Sequence, residues 1–219
     1  NFNMHPIISI VGKSQSGKTT LLEALIIELK QRGYRLAVIK HTHENFEIDK
    51  VGKDSWRFGQ AGSEVVAICS SQKLAIMKQL EGDLNPRELS RFIDWDYDLL
   101  LTEGFKTSDT FKIEVHLKEQ GEGLLTQPKQ LLAVVTDEPL DIDIPQLPRD
   151  EIRGTADLIE NWLRTQLKEN DIELFINHAF IPIKLFVKDI MAKTLLGMVS
   201  SLKGVKEIKS LHISLRRKS

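Results

Sequence analysis

The chain has 219 residues, 41% hydrophobic and 28% charged. That is enough for one sizeable α/β core, with or without a small appendage, and too little for three ordinary domains. Its 30 basic and 31 acidic residues leave a formal net charge of -1, which argues against a strongly basic nucleic-acid binder. A single cysteine, Cys69, excludes an internal disulfide framework and a CxxC metal site built from one chain. No apolar run approaches the roughly 20 residues that span a bilayer, and the N-terminus lacks the form of a secretory signal. A soluble cytoplasmic protein with no membrane partner is expected. Asn1, Phe2 and Asn3 read as a vector remnant ahead of a native start at Met4.

Ile7 to Val11 is short, β-branched and apolar on both faces, which predicts a central strand of a parallel sheet. It runs into Gly12-Lys13-Ser14-Gln15-Ser16-Gly17-Lys18-Thr19-Thr20 and then into a helix. Leu21, Leu22, Leu25, Ile26 and Leu29 share one stripe of that helix, and Gly33 ends it. Leu36 to Lys40 is a second strand, so the unit is βαβ. Strands are predicted at Glu64–Cys69 and Lys73–Lys78 around a short turn, then a short helix from Asn85-Pro86. Further strands follow at Tyr97–Thr102, Phe111–Leu117 and Leu131–Val135. The three prolines between Glu138 and Pro148 predict a surface loop, and Ala156–Leu167 a helix. From about 170 the pattern is a hairpin within Asp171–Ile183, a helix at Phe186–Leu202 and a strand at Val205–Leu215. The expected architecture is a P-loop NTPase-type, mostly parallel sheet flanked by helices (4–168), with a small ββαβ appendage (170–219).

Gly12 to Thr19 satisfies G-x-x-x-x-G-K-[ST] between a strand and a helix, the context a phosphate loop requires. Gly12 and Gly17 let the backbone N–H groups turn inward, and the helix N-terminus faces the anion. Lys18 supplies a point charge for the β- and γ-phosphates, and the Thr19 hydroxyl a ligand for Mg²⁺. A second Mg²⁺ anchor is expected from an acid closing a neighbouring strand, and Glu103 is that acid. Asp98 starts the same strand and is placed at the far end of the sheet. Lys13 is either a solvated loop lysine or a second lysine that crosses a dimer interface to the partner's nucleotide.

Lys40-His41-Thr42-His43-Glu44 follows the second strand, and Asp49, Lys53, Asp54 and Arg57 come soon after. Ligands of doubly wound sheets sit outside the carboxyl ends of the strands, so this polar cluster is expected beside the phosphate loop. It reads as a binding site for an anionic substrate or partner, with a solvated capping loop as the alternative. Zinc is disfavoured because no third ligand is evident. Cys69, at the end of an apolar strand, reads as a core residue, the Met191–Met198 stripe as core or an interface, and the basic tail as a solvated face.

GKSQSGKTTLLEALI, KHTHENFEIDKVGKDSWRFGQAGS and DLLLTEGFK, in this order, closely resemble the molybdopterin-guanine dinucleotide biosynthesis protein B (MobB) family over about residues 5–168. The resemblance implies a homodimer that binds GTP or GDP with Mg²⁺. It implies a weak GTPase at most, an accessory to the nucleotidyltransferase that joins a guanine nucleotide to molybdopterin. By the same resemblance the nucleotide loop carries onto Gly12, Gly17, Lys18, Thr19 and Thr20. The His-rich block carries onto His41 and His43, and the acid before Gly-Phe-Lys onto Glu103, with Lys106 completing that motif. Glu44 stands where the family often has another histidine. Thr136 and Asp137 are the expected guanine readers, since a carboxylate can accept the paired N1–H and N2–H of guanine. The chain lacks N-K-x-D. Two other readings remain: a small-metabolite kinase using Asp49 or Asp54 as base, and a GTP-switch adaptor or metallochaperone without significant turnover.

Overall fold

The structure is a computed structural model. It describes residues 6–42, 46, 48–80, 82–93, 97–121, 123–166, 172, 174–176, 179–206, 208, 211, 213 and 215. Strand β1 (Ile7–Gly12) is buried along its whole length, as its two-sided apolar sequence requires. Helix α1 (Lys18–Gln31) returns over the sheet and buries Leu21, Leu22, Leu25 and Leu29. It ends where Gly33 takes φ 94°, which lets Gly33 N–H reach Lys30 O and Tyr34 N–H reach Leu29 O. Strand β2 (Leu36–Lys40), helix α2 (Asp54–Gln60) and a hairpin of β3 (Val65–Cys69) and β4 (Leu74–Lys78) follow. Helix α3 (Pro86–Ser90) starts in a capping box in which Asn85 and Glu88 accept each other's backbone N–H. Then come β5 (Leu99–Glu103), β6 (Phe111–His116), β7 (Leu131–Thr136), β8 (Gln146–Leu147) and helix α4 (Ile152–Gln166). Strands β9 (Leu174–Ile176) and β10 (Ala179–Ile181) pair antiparallel, ahead of helix α5 (Leu185–Ser200).

The main sheet has the order β2-β5-β1-β6-β7-β8, and every pairing in it is parallel. All six strands therefore end on one edge, which places Lys40, Glu103, Gly12, His116 and Thr136 together in that order. Helices α1 and α4 cover one face, where Ile8, Ile10, Leu25, Leu29, Leu101, Ile113, Val135, Ile159 and Leu163 form the main core. Arg32 at the end of α1 ties the two helices, bonding Glu28 at 2.8 Å, Asp157 at 2.6 Å and Glu160 at 2.5 Å. The hydrogen bonds it donates to these carboxylates, Asp157 first, raise its pKa further above its already high value.

The opposite face is partly polar. Ser9, Thr102 and Thr110 are buried in one hydroxyl chain. Lys112 is fully buried, and its ammonium donates to Ser108 O at 2.6 Å and Thr110 O at 3.0 Å. Burial lowers its pKa, and the nearby Asp109 charge works against that. Glu114, 2% exposed, accepts from the backbone N–H of Leu125 at 2.7 Å and Thr126 at 2.9 Å. It thereby fastens the segment after β6 down onto the sheet.

Three expectations need correcting. Cys69 is exposed rather than core, because among the described residues β3 pairs with β4 alone. Val65, Ile68, Leu74 and Ile76 are exposed for the same reason. The proline-containing loop holds a short sheet strand, β8, and α4 begins at Ile152, ahead of the expected Ala156. The extra turn is held by Glu151, whose carboxylate accepts Gly154 N–H and whose carbonyl accepts Thr155 N–H. The strand expected at Val205–Leu215 lies in part outside the described residues, and its described residues are in no strand. On α5, Val187, Ile190 and Met198 are exposed. Among the described residues no helix is long and apolar enough to cross a membrane.

Candidate functional site

The segment Gly12 to Gly17 turns over the carboxyl end of β1. Gly12 has to be glycine on packing grounds, because a Cβ there would lie 2.5 Å from Val115 O and 2.6 Å from Ser16 Oγ. Gly17 is the N-cap of α1 at φ 91°, a left-handed conformation that side chains disfavour. Its missing side chain leaves room for Arg149, whose Nη2 would sit 2.6 Å from a Cβ at this position. Gln15 also takes a positive φ of 59°. Ser16 is fully buried, and its hydroxyl finds no partner among the described residues.

The Lys18 ammonium donates to Lys13 O at 2.6 Å, closing the loop on itself. Lys13 donates to Gln120 O, and the Gln120 amide returns to Ser14 O at 2.8 Å. The loop is thus braced by the segment after β6. Lys13 serves here as that brace within its own chain.

The parallel register brings Glu103 opposite both Ile10 and Lys40. Its carboxylate accepts from the Thr19 hydroxyl at 3.0 Å and lies 3.8 Å from Lys40 Nζ. Burial lowers the pKa of Lys18. The Glu103 charge raises it, while those of Lys106 and Lys40 lower it. Three cations converging on one carboxylate leave a local positive excess, the condition for an anion. Asp98 lies at the opposite end of β5, where it accepts from the Arg35 backbone and guanidinium. The Arg35 hydrogen bond holds its carboxyl below the usual range.

A hydroxyl and a carboxylate oxygen 3.0 Å apart, beside a lysine at a helix N-terminus, form the donor set a hard divalent cation takes. These residues fit Mg²⁺ with a polyphosphate. No cluster of three His, Cys, Asp or Glu side chains suited to a metal occurs among the described residues.

The second expected cluster comes together only in part. His41 continues from β2, donates its backbone N–H to Glu103 O at 2.9 Å, and packs on Phe105 with ring centroids 4.5 Å apart. His43 and Glu44 lie outside the described residues. Asp49 accepts from Lys50 N–H, Lys53 is the N-cap of α2, and Asp54 lies 3.8 Å from Arg57. Those three are exposed or half-buried and bond within their own loop. Thr136 and Asp137 reach the active edge two strands from β1, where both brace loops. The Thr136 hydroxyl bonds Glu138, and an Asp137 oxygen accepts Lys118 N–H at 3.0 Å.

Sequence reasoning missed Arg149, and it placed Lys40 in the polar cluster beside the loop without pairing it with Glu103. Lys40 was legible as the last residue of the strand before the His-rich block. Arg149 carried no local signal, since its approach to Gly17 depends on where β8 joins the sheet.

The family model for "Molybdopterin guanine dinucleotide synthesis protein B" (MobB) matches residues 7–137. A Haemophilus influenzae "Molybdopterin-guanine dinucleotide biosynthesis adapter protein" is 44% identical over 162 residues, covering 74% of this chain and 91% of that protein. A Methanocaldococcus jannaschii protein, "Putative molybdopterin-guanine dinucleotide biosynthesis adapter protein", is 25% identical over 231 residues. That match covers 95% of this chain and 97% of the relative, so it reaches into the segment after residue 170. Among solved structures, one titled "Crystal Structure of molybdopterin-guanine biosynthesis protein B (mobB)" superposes with TM-score 0.54 at 34% identity. It covers 72% of this chain and 99% of that one. Bacillus subtilis MobB gives TM-score 0.58 at 29% identity, over 75% of this chain and 99% of that one. With a six-stranded parallel sheet, a glycine loop at its active edge and these relatives, the chain belongs to the MobB family.

Proposed function

We propose that this chain is a GTP-binding adapter of molybdopterin-guanine dinucleotide biosynthesis, working beside the nucleotidyltransferase that joins the guanine nucleotide to molybdopterin. The observation that carries the nucleotide reading is the Thr19–Glu103 pair at 3.0 Å next to Lys18. Lys18, Lys40 and Lys106 neutralise the phosphates, and the loop N–H groups from Ser14 to Thr20 wrap them. Bound Mg²⁺ would be held by Thr19 and Glu103, and would offset charge on the β- and γ-oxygens. His41 and Lys106 flank the site where a partner or the pterin approaches, and Asp137 offers its free oxygen to guanine. Hydrolysis is slow in this reading, because slow P-loop GTPases lack a fixed water-positioning group or arginine finger. The reading includes a homodimer, supported by the uncovered apolar face of the β3–β4 hairpin.

Calorimetric titration with Mg·GTP and Mg·ATP tests the reading. Preference for GTP of at least about tenfold is expected, the effect of pairing two guanine N–H groups with a carboxylate. Equal or tighter binding of ATP would move the small-metabolite kinase reading to first place.

Arg149 is expected to touch the bound nucleotide from the Gly17 side, because its guanidinium packs on that turn. Arg149→Ala should weaken Mg·GDP binding by about five- to fiftyfold, the range for a partly screened charge-assisted contact. The same variant should leave the thermal midpoint within about two degrees, since Arg149 is exposed. An unchanged Mg·GDP affinity would make it a bystander.

A further inference from the structure

Helix α5 carries apolar side chains on two faces. Lys188 and Ala192 are buried and Leu195 and Val199 half-buried, so one face already packs inward. The second face is uncovered among the described residues. At about 100° per residue, Phe186, Val187, Ile190, Thr194, Gly197 and Met198 share one arc of about 120°. All six are exposed, Phe186 at 74% and Met198 at 63%. A Cβ built on Gly197 meets nothing within 4 Å. A helix apolar on opposed faces is stable in water only when both are covered.

The rim of the exposed arc shows what fits it. Between residues 184 and 219 the chain has nine Lys and Arg side chains but two acids. One of the two, Asp189, stands on that rim, and its carboxylate accepts from the Lys193 ammonium at 2.7 Å, one turn on. An acid and a base one turn apart on the same rim are self-complementary. In an antiparallel copy of the helix, related by a two-fold axis level with Met191, Asp189 of each helix meets the level of Lys193 of the other. The same axis sets Phe186 within one residue of the level of the other helix's Gly197, the bulkiest side chain of the arc against its gap. Ile190 lies beside the axis, against its own counterpart. A two-fold interface has to match itself in this way, residue i on j and j on i.

We infer that the exposed face of α5 packs antiparallel on α5 of a second copy of this chain. One face of a 16-residue helix, about 24 Å long, covers less than the roughly 800 Å² per partner of a stable interface. The pairing therefore adds to a dimer held elsewhere, and it rests on the homodimer reading above. It joins the C-terminal segments of the two copies and takes their apolar faces out of water.

The test is oxidative cross-linking of the full chain carrying Cys69→Ser, which removes the native thiol, and Ile190→Cys. Helix axes about 8–10 Å apart bring two side chains beside the axis within disulfide reach. Disulfide-linked dimers are expected at least about tenfold faster than for Lys30→Cys in the same background, an exposed position near the end of α1. Adding Asp189→Lys or Lys193→Asp to the Ile190→Cys chain sets like charges across the pair and should slow linking about tenfold. Co-expressing those two variants restores the pairs between copies while the pair within each helix stays broken, so mixed disulfides should form at the parent rate. Equal rates for Ile190→Cys and Lys30→Cys, or slow mixed disulfides, overturn the inference. Sedimentation of the parent chain separates it from the homodimer reading. A dimer whose Ile190→Cys form does not cross-link overturns the α5 pairing and leaves the homodimer. A monomer that still cross-links rapidly at this position supports the α5 pairing and counts against the dimer held at the β3–β4 hairpin.

Discussion

Lys18→Ala is expected to weaken Mg·GTP binding by about a hundredfold or more, read by calorimetry. Lys18 stands at the first position of α1, behind a glycine turn, with its ammonium drawn onto Lys13 O. Removing one member of a desolvated charge pair costs about 2–5 kcal/mol, and each 1.4 kcal/mol is tenfold in affinity. Neither neighbouring lysine is placed to substitute for it. Lys40 is held toward Glu103, and Lys13 is committed to Gln120. Burial lowers the Lys18 pKa, so an arriving phosphate gains a cation that water solvates poorly. The fold should tolerate the change, because the bond lost among the described residues is the one to Lys13 O. Affinity within about threefold of the parent would remove the phosphate-loop assignment.

Glu114→Ala is expected to lower stability by about 3–5 kcal/mol, read by urea unfolding. Glu114 is 2% exposed and holds two backbone N–H groups. Hydrogen bonds to a charged acceptor contribute about 1.5–3 kcal/mol each, and truncation leaves both donors unpaired. Glu114→Gln keeps one acceptor and should lose about half as much. That ordering separates the clamp from simple loss of volume. A Glu114→Ala cost below about 1 kcal/mol would mean that water or a shifted loop satisfies the two N–H groups.

Much of the fold was readable one segment at a time. The strand at Ile7–Gly12, the glycine loop and the α1 stripe are each fixed by residues within a few positions of one another. Glu103 was readable because it closes a buried strand, and Asp98 because it opens the same one. Errors fell where a residue's environment comes from far along the chain. Cys69 ends an apolar strand, and only the pairing of β3 with β4 alone leaves it exposed. Strand β8 was hidden among prolines, since a two-residue strand is made by its neighbour β7 rather than by its own propensity.

The sequence by itself determined the chemistry at the end of β1: a turn of glycines, a lysine and a hydroxyl at a helix start. Local sterics and hydrogen bonding suffice for that. It also carried the family, because the three motifs stand in order at fixed spacing. Only the tertiary structure decided which distant residues share the active edge. The order β2-β5-β1-β6-β7-β8 places Glu103 on one side of the loop and Gln120 on the other, and lets Arg149 cover Gly17. Strand order follows from which apolar faces bury each other across the whole sheet, a sum over long-range contacts that no short window of sequence contains.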